Sequence, residues 1–360
     1  MPFEYMDKRN ENGFIDLSAM LSKKAMRRNA AKNTIGTLRK EWITCEDGID
    51  YLFKETASDK FSFLGEVIMQ DFCEQMGFPS AEYDLAILEG KIGTLSKNYL
   101  NNRDSTELSG VRFVQGVFPQ GIEGNRVDSN NLGDVEKAFR AFLSDDEKSA
   151  TLLTNTLKKL HILDFMAIHP DRHPLNWAVI VTTQGGGEKQ HILAPAYDNC
   201  GILLLHNTEA KLGEYLKKAQ ADPDGWLDKT FLSRPKPEKK TQLHFDKAKI
   251  SRTEDFRRFC SHHSQDEEIM KFLHKIQSLD VNKTMDKLSQ LYLRETAAGK
   301  MVFDWARTVA EKRKAQIREI YQEVKLANGT PAVQLSNVKD DSSPIVAQNP
   351  SQQFDKHTKY

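Results

Sequence analysis

The chain has 360 residues, of which 39% are hydrophobic, 9% aromatic and 28% charged. This composition supports a sizeable core in one large or two ordinary domains, and it excludes a wholly disordered or fibrous chain. The 51 basic and 51 acidic residues cancel, so the basic excess typical of nucleic-acid-binding proteins is absent, and we expect no direct nucleic-acid partner.

The four cysteines are widely spaced and none forms a CxxC pair, which predicts free thiols rather than a disulfide framework or a zinc site. No apolar run approaches the roughly 20 residues of a transmembrane helix, and the first thirty residues lack the apolar stretch of a signal peptide. We expect a cytoplasmic protein without a membrane span. A protein secreted into a host cell by machinery that reads other signals would have the same features.

Residues 1–30 are polar and mixed in charge, and we interpret them as an N-terminal extension. Four apolar side chains there are spaced to line one face of a short docking helix: Leu17, Met20, Leu21 and Met26. The spacing is typical of an amphipathic helix that packs on another element.

Residues 31–115 are predicted to form a small nucleotide-binding lobe. Two short strands at 42–45 and 51–54 flank a turn at 46–48, and a hairpin covers 83–88 and 91–96. Between them, apolar residues recur every three to five positions over 63–76, which predicts a helix that Gly77 ends. The expected lobe is therefore a mostly antiparallel sheet that carries one helix.

Residues 116–330 are predicted to form a larger, helical catalytic lobe. After a glycine-containing loop at 116–133, helices are expected at 134–143 and 145–168, followed by a hairpin at 177–182 and 191–194 and by further helices that end near residue 326. The tail at 331–360 is rich in Ser, Asn, Gln, Asp and Pro and is predicted to be disordered. The fold class is thus α+β, with two lobes.

The segment at 168–177, which we call the catalytic loop, carries the most informative pattern. It reads Ile-His-Pro-Asp-Arg-His-Pro-Leu-Asn-Trp, with Asp171 and Asn176 five residues apart. Protein kinases use this spacing in their catalytic loop, where the Asp accepts the proton of the attacking hydroxyl and the Asn helps to hold Mg²⁺. Asp171 is therefore a candidate catalytic base and Asn176 a candidate metal ligand.

A second carboxylate is expected to join this loop. Asp198 lies 22 residues after Asn176, and the hairpin between them would return it to the same end. Two oxygen ligands that converge in this way suit Mg²⁺, which takes the rest of its shell from water and substrate phosphates. The predicted cofactors are therefore ATP and Mg²⁺.

The small lobe supplies the candidate nucleotide-binding residues. Lys54 ends an apolar strand, and Glu66 follows twelve residues later on the next helix, the order of the lysine–glutamate pair of kinases. A segment before the first strand contains Thr34, Gly36 and Thr37 as a candidate nucleotide-covering loop. Its one glycine permits close backbone approach to a phosphate, but the segment lacks the GxGxxG pattern.

These motifs resemble the HipA-like serine/threonine kinases, toxins of bacterial toxin–antitoxin modules and their stand-alone relatives. The resemblance covers about residues 30–320, and its most specific parts are Asp171-Arg172-His173-x-x-Asn176 and the segment that ends at Asp198. It implies a two-lobed kinase with ATP between the lobes, in which Arg172 and His173 shape the catalytic loop. It also implies autophosphorylation in the nucleotide loop, here at Thr34 or Thr37.

Only about thirty residues precede the nucleotide loop, so the chain resembles the short or stand-alone members, some of which act as secreted kinases on host proteins. The resemblance implies a protein substrate with a Ser or Thr acceptor, and an antitoxin or a host protein is a candidate partner. Two alternatives stay open, because phosphoinositide kinases share the DRHxxN arrangement and a pseudokinase would bind nucleotide without transfer.

Overall fold

The structure, a computed structural model, describes most of the chain. Its described residues are 9–22, 26–29, 39–46, 48–56, 60–100, 104–121, 127–184, 186–222, 225–227, 243–245, 251–294 and 296–329. The predicted nucleotide-covering loop with Thr34, Gly36 and Thr37, and the predicted tail at 331–360, lie outside these residues.

A six-stranded sheet forms the core of the small lobe. Its strands in chain order are β1 (Ile15–Asp16), β2 (Met26–Arg28), β3 (Lys40–Cys45), β4 (Asp50–Glu55), β5 (Tyr83–Leu88) and β6 (Lys91–Lys97). The spatial order is β1-β5-β6-β4-β3-β2, in which β1 and β5 are parallel and the other pairs are antiparallel. Alternation in β4 buries Tyr51 and Phe53 and leaves Lys54 on the other face.

Helix α2 (Ser62–Met76) packs against this sheet and confirms the predicted helix. The apolar positions on which that prediction depends are all buried: Leu64, Val67, Ile68, Phe72 and Met76. Gly77 ends the helix with φ of 62°, a left-handed conformation that glycine adopts without strain. At Gly65, a side-chain carbon would lie 2.7 Å from the Asn199 carbonyl oxygen, so this glycine lets α2 approach the segment after β9.

The N-terminal residues belong to the sheet and also contact the large lobe. The predicted docking helix is present as α1 (Leu17–Ser22), whereas Met26, expected on the same face, lies in β2. The Arg9 guanidinium contacts both carboxylate oxygens of Asp84 at 2.5 and 2.8 Å, and Tyr292 donates its hydroxyl to Asp84 at 2.8 Å. The Leu293 N–H also donates to the Asn12 carbonyl at 3.1 Å, so the N-terminal segment at 9–22 contacts both lobes.

The large lobe consists of helices and one small sheet. The helices are α3 (Gly110–Val117), α4 (Leu132–Phe142), α5 (Glu147–Met166), a short 3-10 helix (Ile202–Leu204), α6 (Glu209–Ala221), α7 (Arg252–His262), α8 (Glu267–Ile276), α9 (Val281–Leu291) and α10 (Ala297–Ala327). Strands β7 (Ser105–Ser109), β8 (Ala178–Thr183) and β9 (Lys189–Leu193) form an antiparallel sheet. The predicted hairpin is confirmed as β8 and β9, and β7 and α3 are additional elements that the sequence pattern did not predict.

The architecture confirms the predicted two-lobed α+β fold, and all four cysteines are free thiols. Within the described part of the chain, we find no helix with the length and hydrophobicity needed to cross a membrane. The buried helix α5 leads directly into the catalytic loop, where Ile168 adopts φ of 50° and reverses the chain. The catalytic loop therefore borders the cleft on the side of the large lobe, and Lys54 borders it on the side of the small-lobe sheet.

Candidate active site

Four side chains from both lobes meet in the cleft, and we call them the Lys54 cluster: Lys54, Glu66, Asp198 and Cys200. The Lys54 ammonium forms an ion pair with Asp198 and lies 3.7 Å from Glu66 Oε1 and 3.2 Å from Cys200 Sγ. Glu66 is buried, whereas the Asp198 side chain keeps 30% of its exposure. The structure thus brings together the lysine, the helix glutamate and the second carboxylate that the sequence singles out.

The charges of this cluster depend on one another. Burial acts to raise the pKa of Asp198, but the Lys54 ammonium outweighs it and lowers the pKa of that carboxyl. Burial opposes the charged form of Lys54 as well, yet Glu66 and Asp198 hold its pKa above the ordinary value. Lys54 and Asp198 are therefore both charged at neutral pH. A metal ion at Asp198 would compete directly with Lys54 for that carboxylate.

Arg172 organises the catalytic loop through hydrogen bonds that we call the Arg172 network. Its guanidinium donates to both carboxylate oxygens of Asp164, with distances of 3.0 to 3.2 Å. It also donates at 2.7 Å to the carbonyls of Asn176 and Tyr197 and to Asn199 Oδ1. Arg172 is only 1% exposed. One buried side chain thus fixes the spacing between the loop and the segment that contains Asp198.

Asp171, the neighbour of Arg172, has the opposite environment. Its side chain is 54% exposed and lies beside His173, whose Nε2 is 3.6 Å from Asp171 Oδ2. The backbone N–H of Leu175 donates to His173 Nδ1 at 3.2 Å, which assigns the ring proton to Nε2. His173 therefore presents an N–H toward the Asp171 carboxylate. An accessible carboxylate held in this way can accept a proton from a bound hydroxyl group.

Asn176 is buried, and its amide is oriented by the loop itself. The side-chain NH₂ donates to the Asp171 carbonyl at 2.8 Å, which leaves Oδ1 as the atom available for a cation. Asn176 and the residue before Asp198 accept hydrogen bonds from the same Arg172 nitrogen. The donor set is thus a neutral oxygen and a charged carboxylate, which fits Mg²⁺.

His169, which the sequence marked only as the end of a helix, connects both parts of the site. Its Nδ1 accepts the Asp171 backbone N–H at 3.1 Å, and its Nε2 lies 3.2 Å from the Asp198 carbonyl oxygen. Burial, together with the nearby Arg172 charge, lowers the pKa of His169 well below its ordinary value, so the ring is neutral and donates through Nε2. In the sequence, its position two residues before Asp171 was the signal that could have pointed to this role.

Two further contacts fix the backbone around Asp198. The Asp198 N–H donates to the Tyr83 hydroxyl at 3.2 Å, and the Asn199 N–H donates to Glu66 Oε2 at 2.7 Å. Asp198 has φ of 55°, a left-handed conformation that is uncommon outside glycine and is enriched at functional sites. The backbone that carries this carboxylate is therefore held by residues far apart in the sequence. The residues next to Asp198 in the sequence do not reveal these partners.

The fold and the arrangement of the cleft define a protein with the two-lobed kinase fold. Among solved structures, the proinflammatory kinase CtkA of Helicobacter pylori is similar to the chain, with a TM-score of 0.65 and 16% identity over 87% of this chain and 99% of that one. This similarity confirms the predicted fold.

Two other solved structures are more distant from the chain. HipA of Shewanella oneidensis MR-1, solved with HipB and operator DNA, has a TM-score of 0.45 and 9% identity over 88% of this chain and 72% of that one. The kinase domain of maize SIRK1 bound to AMP-PNP has a TM-score of 0.24 and 13% identity over 85% and 93%. No family model and no curated protein matches the chain.

Proposed function

We propose that this protein is a HipA-like, ATP- and Mg²⁺-dependent serine/threonine protein kinase. The observation that supports the proposal best is the convergence of Lys54, Asp171, Asn176 and Asp198 on one cleft. These residues come from both lobes, and they supply the cation, the accessible carboxylate and the oxygen ligands that phosphoryl transfer needs. A pseudokinase would be expected to lack at least one of them.

Each residue has a separate task in this proposal. Lys54 exchanges Asp198 for nucleotide phosphates, while Glu66, which is buried, stays beside the ammonium and keeps it in place. Asn176 and Asp198 hold Mg²⁺, which supplies charge stabilisation for the transferred phosphoryl group when bound. Asp171 orients the acceptor hydroxyl and accepts its proton. Positioning and electrostatics account for most of the rate enhancement.

We place the nucleotide between the six-stranded sheet of the small lobe and the large lobe. Thr34, Gly36 and Thr37 remain candidates for the loop that covers it, with Thr34 and Thr37 as autophosphorylation sites. The acceptor is a Ser or Thr hydroxyl of a protein, either the chain itself, a host protein or an antitoxin. Phosphopeptide mapping after incubation with ATP tests the two threonines directly.

The decisive experiment is incubation with Mg²⁺ and γ-labelled ATP in the presence of general Ser/Thr protein acceptors. The Asp171→Asn variant is expected to transfer about 10²- to 10⁴-fold more slowly, as is typical when a general base is removed. Its nucleotide affinity should stay close to that of the wild type, because Asp171 does not hold the nucleotide. Asp145→Asn, which changes an exposed aspartate on the surface, serves as the matched control.

The same experiment separates the alternatives. Label on a phosphoinositide but on no protein would replace our proposal by a lipid kinase. Nucleotide binding without transfer to any acceptor would favour a pseudokinase. Full transfer by Asp171→Asn would show that the base is assigned to the wrong residue.

A further inference from the structure

Arg252 lies 75 residues after the end of the catalytic loop, yet its side chain ends against that loop. It is the first residue of α7, which Ser251 caps by accepting the Glu254 N–H at 3.2 Å. The Arg252 Nη2 donates to the His169 carbonyl at 2.7 Å and to the Asp164 carbonyl at 3.1 Å. Nη2 of Arg252 therefore connects the last turn of α5 to the start of the catalytic loop.

The two carbonyls mark the place where the chain leaves the helix. The His169 N–H also donates to the Asp164 carbonyl at 2.8 Å, and Ile168 between them has a positive φ of 50°. Such a conformation is costly for a β-branched residue and persists only where surrounding contacts enforce it. Arg252 supplies contacts to the residues on both sides of this reversal.

The orientation of His169 determines the distance between the proposed base and the proposed metal ligand. Its ring bridges the Asp171 N–H and the Asp198 carbonyl. A shift of the His169 backbone would move both contacts at once. A displacement of about 1 Å in such a site is enough to lower a rate by about 10²-fold.

Arg252 is also kept charged in this position. Burial lowers its pKa to about 10, which leaves the guanidinium protonated at neutral pH. The Asp164 carboxylate, which binds Arg172 in the Arg172 network, lies close enough to favour the charged form. Charge-assisted hydrogen bonds to carbonyls are stronger than neutral ones, so this side chain is suited to hold a strained turn.

We infer that Arg252 is a positioning residue for phosphoryl transfer, which fixes the His169 backbone and through it the Asp171–Asp198 geometry. The inference rests on the proposed function for its kinetic meaning. In this role Arg252 contacts neither nucleotide nor acceptor. Loss of the guanidinium should therefore change turnover and leave nucleotide binding intact.

The test compares Arg252→Met and Arg252→Lys with the wild type. We expect Arg252→Met to lower kcat at least tenfold while KM for ATP stays within twofold. Arg252→Lys should recover part of that loss, because one ammonium donor can still serve a carbonyl. The matched control is Arg257→Met on the same helix, whose guanidinium pairs with Glu254 and Glu323 at the surface; its kcat should be unchanged.

Hydrogen–deuterium exchange of the peptide that spans residues 164–176 provides a readout that does not depend on activity. Faster exchange there in Arg252→Met, with the rest of the large lobe unchanged, supports the inference even if the wild type transfers phosphate to no acceptor. Unchanged kcat together with unchanged exchange would overturn it. If Arg252→Met does not fold, the same two measurements on Arg252→Lys decide the question.

Discussion

The Arg172 network and the Lys54 cluster meet at the segment around Asp198, but they differ in how completely their charges are satisfied. Arg172 is buried, and its hydrogen bonds go to acceptors of the large lobe. Lys54 contacts one carboxylate that is partly exposed and a second at 3.7 Å. The first arrangement is a fixed scaffold, whereas the second has partners that a ligand can replace.

This difference shows how a single loop can combine rigidity with reactivity. Asp171 and Arg172 are adjacent in the sequence, yet one side chain is half exposed and the other is fully enclosed. The enclosed residue supports stability, and the exposed one is free to react. Substitutions in the two regions should therefore have different effects on folding and on transfer.

The largest effect on stability is expected for Asp164→Ala. This change leaves the buried Arg172 guanidinium without its carboxylate, and breaking a buried pair on one side typically costs about 3–5 kcal/mol. Urea unfolding followed by circular dichroism measures the loss. Asp145→Ala at the surface should change the free energy of unfolding by less than about 0.5 kcal/mol. A similarly small loss for Asp164→Ala would show that the network is not the scaffold we describe.

Lys54→Met should affect transfer more strongly than stability. We expect transfer to fall by about 10²- to 10³-fold, since one preorganised cation near the developing charge is lost. The free energy of unfolding should change less than in Asp164→Ala, because Asp198, the carboxylate that pairs with Lys54, keeps 30% of its exposure and can be hydrated. Lys97→Met removes another partly exposed small-lobe lysine, which pairs with Glu82, and is the control. Equal losses of transfer in both variants would contradict the comparison.

The next prediction concerns His263, which belongs to neither region and should make the stability of the fold sensitive to acid. Burial, aided by Lys158, lowers the pKa of His263 to about 4, so the folded protein binds its proton less readily than the unfolded chain. Stability is therefore present above the unfolded pKa of about 6.5 and is lost as the pH falls below it.

Between pH 7.5 and 5.5 this one histidine should cost about 1 kcal/mol of stability. Urea titrations at the two pH values measure the loss, and His263→Gln should reduce it by that amount. The control variant is His206→Gln, because His206 is exposed and should leave the slope unchanged. A wild-type slope in His263→Gln would show that the site itself carries the acid sensitivity.

The smallest effect is expected for Cys200→Ser. Burial and the nearby Glu66 carboxylate raise the pKa of the Cys200 thiol to about 12, so the sulfur is uncharged and contributes little to the field at Lys54. A serine hydroxyl can accept the same hydrogen bond. Transfer should stay within about twofold of the wild type. A loss comparable to that of Lys54→Met would make the thiol an essential part of the cluster.

Local sequence patterns determined much of this molecule. The spacing of apolar residues predicted helix α2, the long helix before the catalytic loop and the hairpin after it. The five-residue separation of Asp171 and Asn176 pointed to the chemistry, because both residues lie in one short loop whose geometry depends mainly on local contacts. Lys54 and Asp198 could be recognised for the same reason, since Lys54 lies near the end of β4 and Asp198 follows the hairpin of β8 and β9.

Tertiary structure alone decided what surrounds these residues. Strand β7 has five residues and helix α3 eight, and both pack against β8. His169, Tyr83 and Arg252 reach the site through one or two hydrogen bonds each to backbone atoms, which leave no periodicity in the sequence. Burial of Arg172 depends on acceptors from three separate segments. Such contacts exist only after the chain has folded, and they determine which charges become fixed and which stay free to react.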